Sequence, residues 1–315
     1  MDLLGKGWKK LTEYMVTSSE EGYIHKGTSD FPRDLNTFLT AFMGDKKAPK
    51  ASKEACVQRD IVRKSTNSVP LRYFAHSEEK QGMSRVLITG ANRGLGLEFA
   101  RQYATDGWDV IATARNPKHS ETLEELAKNK TVSVLSLDVT SNESTRQLVK
   151  ALSGKPVDLL ILNSAIYTRD GNKLGELNFA DWRESFETNV LGAIRVAEAL
   201  IENIAASERK QIAAISTGMG SLQTLGATFE FGPAYQYRTS KAALNMAMSI
   251  LAKEVEPRGI SVVIFSPGWV KTDMGGANAA LTPKQSISGM RKVLARHPME
   301  LTGKFLSYDG SKWPW

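Results

Sequence analysis

Thr89-Gly90-Ala91-Asn92-Arg93-Gly94-Leu95-Gly96 stands between two runs of different period. Residues 85–89 before it are a short apolar run of strand type. Residues 94–105 after it carry Leu95, Leu97, Phe99, Ala100 and Tyr103 at helical spacing. A strand that enters a helix this way leaves the first N–H groups of the helix without intrahelical partners. A pyrophosphate can reach those groups where glycine removes the obstructing Cβ. Gly90, Gly94 and Gly96 follow the spacing G-x-x-x-G-x-G and not the commoner G-x-G-x-x-G. Asn92, Arg93 and Leu95 fill the turn around a candidate dinucleotide. Glycines cluster in many strand-to-helix turns, so the weight of this one comes from its place in a βαβ unit.

Outward from that turn the alternation continues. Residues 109–114, 132–137, 157–162, 211–216, 260–265 and 304–307 read as strands. Residues 122–128, 141–152, 181–206 and 235–256 read as helices, the second with Ser141 and Ser144 as capping candidates. The run at 157–162 is nearly continuous in apolar residues, as suits a parallel strand buried on both faces. Strand and helix in alternation give an α/β fold, a doubly wound parallel sheet of Rossmann type. The regular pattern starts at Met83, which sets an expected boundary: an N-terminal extension at 1–82, and a nucleotide-binding domain at 83–315. The extension carries no chemical motif. A short amphipathic helix is expected in its first fifteen residues and another near residues 31–43, and a Lys-rich polar stretch follows.

The bulk of the chain is that of an ordinary globular protein: 315 residues, 41% hydrophobic and 24% charged. Its net charge of +7 favours anionic ligands in a general way, but Lys and Arg are mixed with Asp and Glu throughout. No nucleic-acid partner is expected. No apolar run is long enough to span a bilayer, and no secretory signal is evident. The lone cysteine, Cys56, cannot make an internal disulfide. A cytoplasmic location is the expectation. The four histidines, His25, His76, His119 and His297, show no metal-ligand spacing, and no metal is expected.

The second strand bears on the cofactor. An acidic residue near its end would take the ribose hydroxyls of NAD. Here the strand ends Ala112-Thr113-Ala114-Arg115. With Arg93 in the glycine turn, Arg115 would suit a 2′-phosphate, which calls for charge-assisted hydrogen bonds. NADP(H) is expected over NAD(H).

Tyr237 and Lys241 are four residues apart and share a helical face. A free phenol titrates near about 10 and is a poor base at neutral pH. A neighbouring ammonium favours the phenolate, and a cationic nicotinamide ring would add to that. The pair is then a workable acid/base, although Tyr-x-x-x-Lys alone arises by chance in many helices.

Taken together, the residues resemble the short-chain dehydrogenases/reductases. The resemblance rests on the glycine turn, Asn163-Ser164-Ala165, Asn189, Tyr237/Lys241 and Pro267-Gly268-Trp269-Val270-Lys271-Thr272, in that order. It covers residues 84–315. The stretches at 215–221, 241–245 and 308–315 are similar to the C-factor and sniffer-type carbonyl reductase branch. The resemblance implies an NADP(H)-dependent oxidoreductase interconverting a carbonyl and an alcohol. Tyr237 would be the acid/base, Lys241 would hold the nicotinamide ribose, and Asn189 would help place a water. Asp138 and Val139 would meet the adenine, and Asn163 and Ala165 the ribose and backbone path. Pro267, Gly268 and Val270 would also bind the cofactor, and Thr272 would contact its carboxamide or its phosphates. It also implies a homo-oligomer, a dimer or tetramer.

The chain departs from the family pattern in three places. Thr217 stands where the family usually has a serine. It keeps the hydroxyl but adds a methyl that restricts the rotamer; Ser216 and Ser221 are weaker candidates. The stretch from Thr217 to Tyr237 is long, which implies an enlarged loop at residues 223–233 beside the site. The family's Asn-Asn-Ala-Gly reads Asn163-Ser164-Ala165-Ile166 here. Met219, Leu222, Leu225, Phe229, Phe231, Trp269 and Met274 fall on loops after strand ends and suggest a small apolar substrate, with loop packing or a subunit contact as the other reading. Two further functions stay open. One is a catalytically weak, dinucleotide-binding signalling or regulatory protein. The other is a sugar-nucleotide epimerase, for which the stretch after Lys241 leaves little room.

Overall fold

The computed structural model describes residues 83–315. The expected helices within the first fifteen residues and near 31–43, and Cys56, lie outside the described residues.

Seven parallel strands form one sheet in the order β3-β2-β1-β4-β5-β6-β7. β1 (Arg85–Ile88) leads through the glycine turn into α1 (Gly94–Thr105), then β2 (Asp109–Ala114), α2 (Glu121–Leu126), β3 (Val132–Ser136) and α3 (Asn142–Leu152). β4 (Leu159–Leu162) opens the second half. α4 (Phe179–Phe186), α5 (Gly192–Ala205), β5 (Gln211–Ile215), the one-turn α6 (Leu225–Thr228), α7 (Tyr235–Val255), β6 (Ser261–Ser266), α8 (Pro283–Leu294) and β7 (Lys304–Ser307) follow. The doubly wound parallel sheet expected from the sequence is the one observed.

β1 sits between β2 and β4, with Val86 opposite Val110 on one side and Leu159 on the other. All four residues of β4 are buried, which is why its sequence is continuous in apolar residues rather than alternating. Two apolar layers result. One packs Phe99, Tyr103, Met290 and Val293 on one face of the sheet, and the other packs Leu148, Leu200, Leu244 and Met248 on the opposite face. The winding reverses between β1 and β4, so a crevice opens beyond their carboxyl ends, where ligands bind in sheets of this kind.

Local chemistry explains most element ends. The Ser141 hydroxyl accepts from the Ser144 N–H and caps α3, while Ser144 turns its own hydroxyl to the Asp138 N–H at 2.9 Å. Thr282 and Gln285 form a reciprocal capping box at the start of α8. That helix is not among those expected from the sequence. Its capping pair and the apolar Ile287, Met290, Val293 and Leu294 at helical spacing were the signal for it.

The long helix expected over 181–206 is observed as two helices with a widened π turn between them, Glu187–Leu191. It starts at Phe179 because the Asn178 side chain accepts from the N–H groups of Ala180 and Asp181. Gly192 follows the π turn. A Cβ there would lie 2.8 Å from Val139 Cγ2, so glycine lets the helix press against the end of β3. Among the described residues, no helix is long and apolar enough to cross a membrane.

Candidate active site

The glycine turn is built by close approach. Gly90 and Gly94 have φ of +66° and +56°, a region that side-chain-bearing residues rarely adopt. A Cβ on Gly96 would stand 2.2 Å from the Gly90 carbonyl oxygen and 2.6 Å from Asn163 Nδ2. Arg93 precedes α1 without a side-chain cap, and the first turn of α1 holds no acid. The space that Cβ atoms on Gly90 and Gly96 would need is taken by Ser164, Asn163 and the turn's own backbone, so these glycines let the turn close tightly at the start of α1, whose first N–H groups have no side-chain cap and suit a pyrophosphate.

Asn163 takes a part that its sequence did not suggest. Its Nδ2 donates to the Thr89 and Gly90 carbonyls at 2.9 and 3.0 Å, and its N–H donates to Thr89 Oγ1. It ties the end of β4 to the glycine turn. Ala165 follows two residues on along the same loop.

Arg115 is exposed at the end of β2. Arg93 is also exposed and pairs with Asp273 at 3.0 Å, joining the glycine turn to the loop after β6. Asp138 sits at the end of β3. Burial pushes its carboxyl up, but hydrogen bonds from the Thr140 hydroxyl and N–H outweigh this and hold it below the usual value. Val139 is buried against Gly192. In the loop after β6, Thr272 Cγ2 is the nearest neighbour of a Cβ built on Gly94, and Thr272 Oγ1 accepts from the Gly275 N–H. Pro267 accepts from Ser286 Oγ at 2.7 Å, Gly268 has φ +78°, and Val270 bridges to Leu281.

α7 carries Tyr237 and Lys241 in its first two turns, one turn apart. Lys241 Nζ donates to the Ile215 carbonyl at 2.9 Å and lies 5.9 Å from the Tyr237 ring centroid. Burial lowers the Lys241 ammonium to about 7. Burial, with a smaller contribution from Tyr167, pushes the Tyr237 phenol above its ordinary value. The expected depression of the phenol by Lys241 is therefore not what the protein's own groups produce. Burial takes the phenolate out of water, and that cost sets the direction of the shift.

Asn189 lies in the π turn and is 1% exposed. Its Oδ1 accepts from the Ile166 N–H at 2.8 Å, and its Nδ2 donates to the Ile166 carbonyl and to Ser240 Oγ, each at 3.0 Å. The amide thus braces the loop after β4 against the helix of Tyr237. π turns of this kind often mark functional sites.

The three hydroxyl candidates after β5 separate by their partners. Ser216 is buried and donates to Asn245 Oδ1 at 2.6 Å. Ser221 is buried and donates to the Trp315 carbonyl. Thr217 is half-buried, and its Oγ1 accepts from the Met219 N–H at 3.2 Å, which leaves its proton to give.

Tyr167 is not among the site residues expected from the sequence. Its ring packs on Tyr237 with centroids 4.8 Å apart. It also lines a cleft of about 340 Å³ with Arg169, Asp170, Asn172, Lys173, Glu176 and Phe231. Of the apolar loop residues expected around the substrate, Phe231 alone lines this cleft. Phe231 meets Trp269 edge-on at 5.5 Å, while Leu222, Leu225 and Phe229 are exposed. The loop expected at 223–233 is partly ordered as α6 and a 3₁₀ turn at Phe229–Phe231. Among the described residues, no group of three or more His, Cys, Asp or Glu is placed to hold a metal ion.

A doubly wound parallel sheet, a glycine turn at a helix start and a Tyr/Lys pair on one helix face are the parts of a nucleotide-dependent oxidoreductase. Known proteins agree. A family model described as short chain dehydrogenase matches residues 84–281. The chain is 38% identical over 160 residues to the C-signal of Myxococcus xanthus, a match spanning 51% of this chain and 93% of that one. The carbonyl reductase Sniffer of D. melanogaster superposes with a TM-score of 0.68 at 30% identity, covering 74% of this chain and 100% of that one. An NADPH-bound carbonyl reductase from chicken fatty liver gives 0.68 at 31%, covering 74% and 99%. The chain belongs to the short-chain dehydrogenase family and is an oxidoreductase similar to its carbonyl reductases.

Proposed function

We propose that the chain is an NADP(H)-dependent carbonyl reductase whose catalytic unit is residues 83–315. One observation carries the reading: Lys241 Nζ stands 5.9 Å from the Tyr237 ring and reaches the Ile215 carbonyl at the end of β5, two residues before Thr217, while Asn189 bonds Ser240 on the same helix. Tyr237 is the acid/base. Its raised pKa keeps the proton on Oη at neutral pH, which suits donation to a carbonyl oxygen. Thr217 Oγ1 donates to the same oxygen and holds the carbonyl toward Tyr237. Lys241, when cationic, holds a ribose hydroxyl and favours the phenolate left after proton transfer. Asn189 keeps the helix of Tyr237 in place through Ser240 and supports the proton path beside it.

Bound NADPH supplies the hydride. Gly90, Asn92, Gly94, Leu95 and Gly96 would hold its pyrophosphate, and Arg93 and Arg115 would take the 2′-phosphate. Asp138 and Val139 would meet the adenine, with Asn163 and Ala165 along the ribose path. Pro267, Gly268, Val270 and Thr272 would contact the nicotinamide side or the phosphates. NADPH in the similar chicken enzyme supports this choice, as does the arginine where an acid would favour NADH.

The substrate is a small carbonyl compound. The polar lining of the cleft beside Tyr167 supports one that carries hydrogen-bonding groups as well as apolar surface. Exposed Phe179, Leu191, Met246 and Ile250 on α4, the π turn and α7 support a homo-oligomer joined through these elements.

Fluorescence titration of the full chain with NADPH and NADH, followed by a carbonyl panel, tests the reading. Tighter binding of NADPH, with Arg115→Glu reversing the preference, is the expected result. Failure to bind either nucleotide would refute it.

A further inference from the structure

Arg238 directly follows Tyr237 and is 6% exposed, yet no carboxylate pairs with it among the described residues. Its partners are oxygens of the long segment between Thr217 and Tyr237. Nη2 donates to the Thr228 carbonyl at 2.6 Å and the Gly232 carbonyl at 2.9 Å. Nη1 donates to Thr228 Oγ1 at 2.9 Å, and Nε donates to the Gly232 carbonyl at 3.1 Å. The Arg238 N–H also donates to the carbonyl of Ala234, which has φ +40°.

A cation in the first turn of a helix opposes the helix dipole, and a buried cation without an anion is costly. Such a residue is tolerated where its rigid fork gathers several carbonyls at once, which an ammonium on a flexible stem does poorly. The carbonyls gathered here flank Phe231. That residue lines the cleft beside Tyr167 and meets Trp269, from the loop after β6, at 5.5 Å.

We propose that Arg238 is a positioning residue for substrate selection: it clamps residues 228–232 to the helix of Tyr237 and so holds Phe231 against Trp269 at the mouth of the cleft. This rests on the carbonyl reductase reading. The clamp sets how large a carbonyl compound enters and leaves proton transfer by Tyr237 untouched.

The test compares the wild type with Arg238→Met, Arg238→Lys and Thr228→Val. Thr228→Val removes the Thr228 Oγ1 acceptor of Arg238 Nη1, together with that hydroxyl's bond to the Thr224 carbonyl, and keeps the proposal testable if the arginine variants fail to fold. Hydrogen exchange over residues 223–233 is read first, because it needs no turnover and so separates the clamp from the carbonyl reductase reading. Faster exchange there, in Arg238→Met or, if it does not fold, in Thr228→Val, is expected; unchanged exchange overturns the clamp. The kinetic arm uses a short aliphatic aldehyde and a two-ring aromatic ketone with NADPH. The ratio of kcat/KM for the two substrates should shift by about tenfold in Arg238→Met, through KM, with kcat for the aldehyde and NADPH affinity kept. Arg238→Lys should fail to restore the ratio, and Thr228→Val should shift it the same way by less. An unchanged ratio, or an equal fall in kcat for both substrates, would overturn the proposal.

Discussion

Lys241 Nζ donates to the Ile215 carbonyl at 2.9 Å and stands 5.9 Å from the Tyr237 ring, fully enclosed by the chain. Burial lowers this ammonium from 10.5 to about 7. Between those values the unfolded chain binds the proton more readily than the folded one. Stability therefore rises with pH across that window, and the penalty is complete below about 7. Lys241→Met removes the titration. The stability of the variant relative to wild type, from urea unfolding at a series of pH values, should be greatest at pH 6 and shrink steadily toward pH 9.5. A flat difference would contradict a buried, depressed Lys241.

Gly96→Ala places a methyl 2.2 Å from the Gly90 carbonyl oxygen, a backbone atom that cannot swing aside. Overpacking of this kind costs about 1–3 kcal/mol. The variant should melt lower and lose measurable NADPH binding by fluorescence titration, because the turn that must yield is the one that meets the pyrophosphate. Gly107→Ala, in open space but at φ +79°, serves as a control. It should lose stability while keeping affinity.

Thr217 is the hydroxyl after β5 left with a proton to give, since Ser216 and Ser221 spend theirs inside the fold. Thr217→Ser should keep or raise kcat by freeing the rotamer. Thr217→Val should lower kcat by about 10²-fold with NADPH affinity unchanged. Steady-state kinetics on one carbonyl substrate decides it; an active Thr217→Val enzyme would shift the role to another group.

Several of these features could be read from residue order alone. The glycine turn, the apolar β4 and the four-residue spacing of Tyr237 and Lys241 are local patterns with local physical causes. Long-range contacts were not legible. The binding of Asn163 to the Thr89 and Gly90 carbonyls, and of Asn189 to Ile166 and Ser240, joins segments distant in sequence. An asparagine's letter does not say whether its amide faces a ligand or a backbone. The π turn that splits the expected 181–206 helix keeps the helical period on either side and so leaves little trace. Tyr167 and Arg238 matter through what they touch, and neither belongs to the spacing that drew attention to Tyr237. The direction of the Tyr237 shift goes against expectation because burial, which no motif encodes, raises the phenol.

In the proposed reaction, proton delivery by Tyr237 is coupled to hydride transfer from NADPH. Its most direct test uses NADPH deuterated at the transferring carbon, a reducible carbonyl compound, and mass spectrometry of the alcohol formed by wild type and Tyr237→Phe. Deuterium should appear in the alcohol with wild type, and its rate of appearance should fall by about 10²–10⁴-fold in Tyr237→Phe, with NADPH still bound. Equal rates of deuterium transfer by the two proteins would contradict the account.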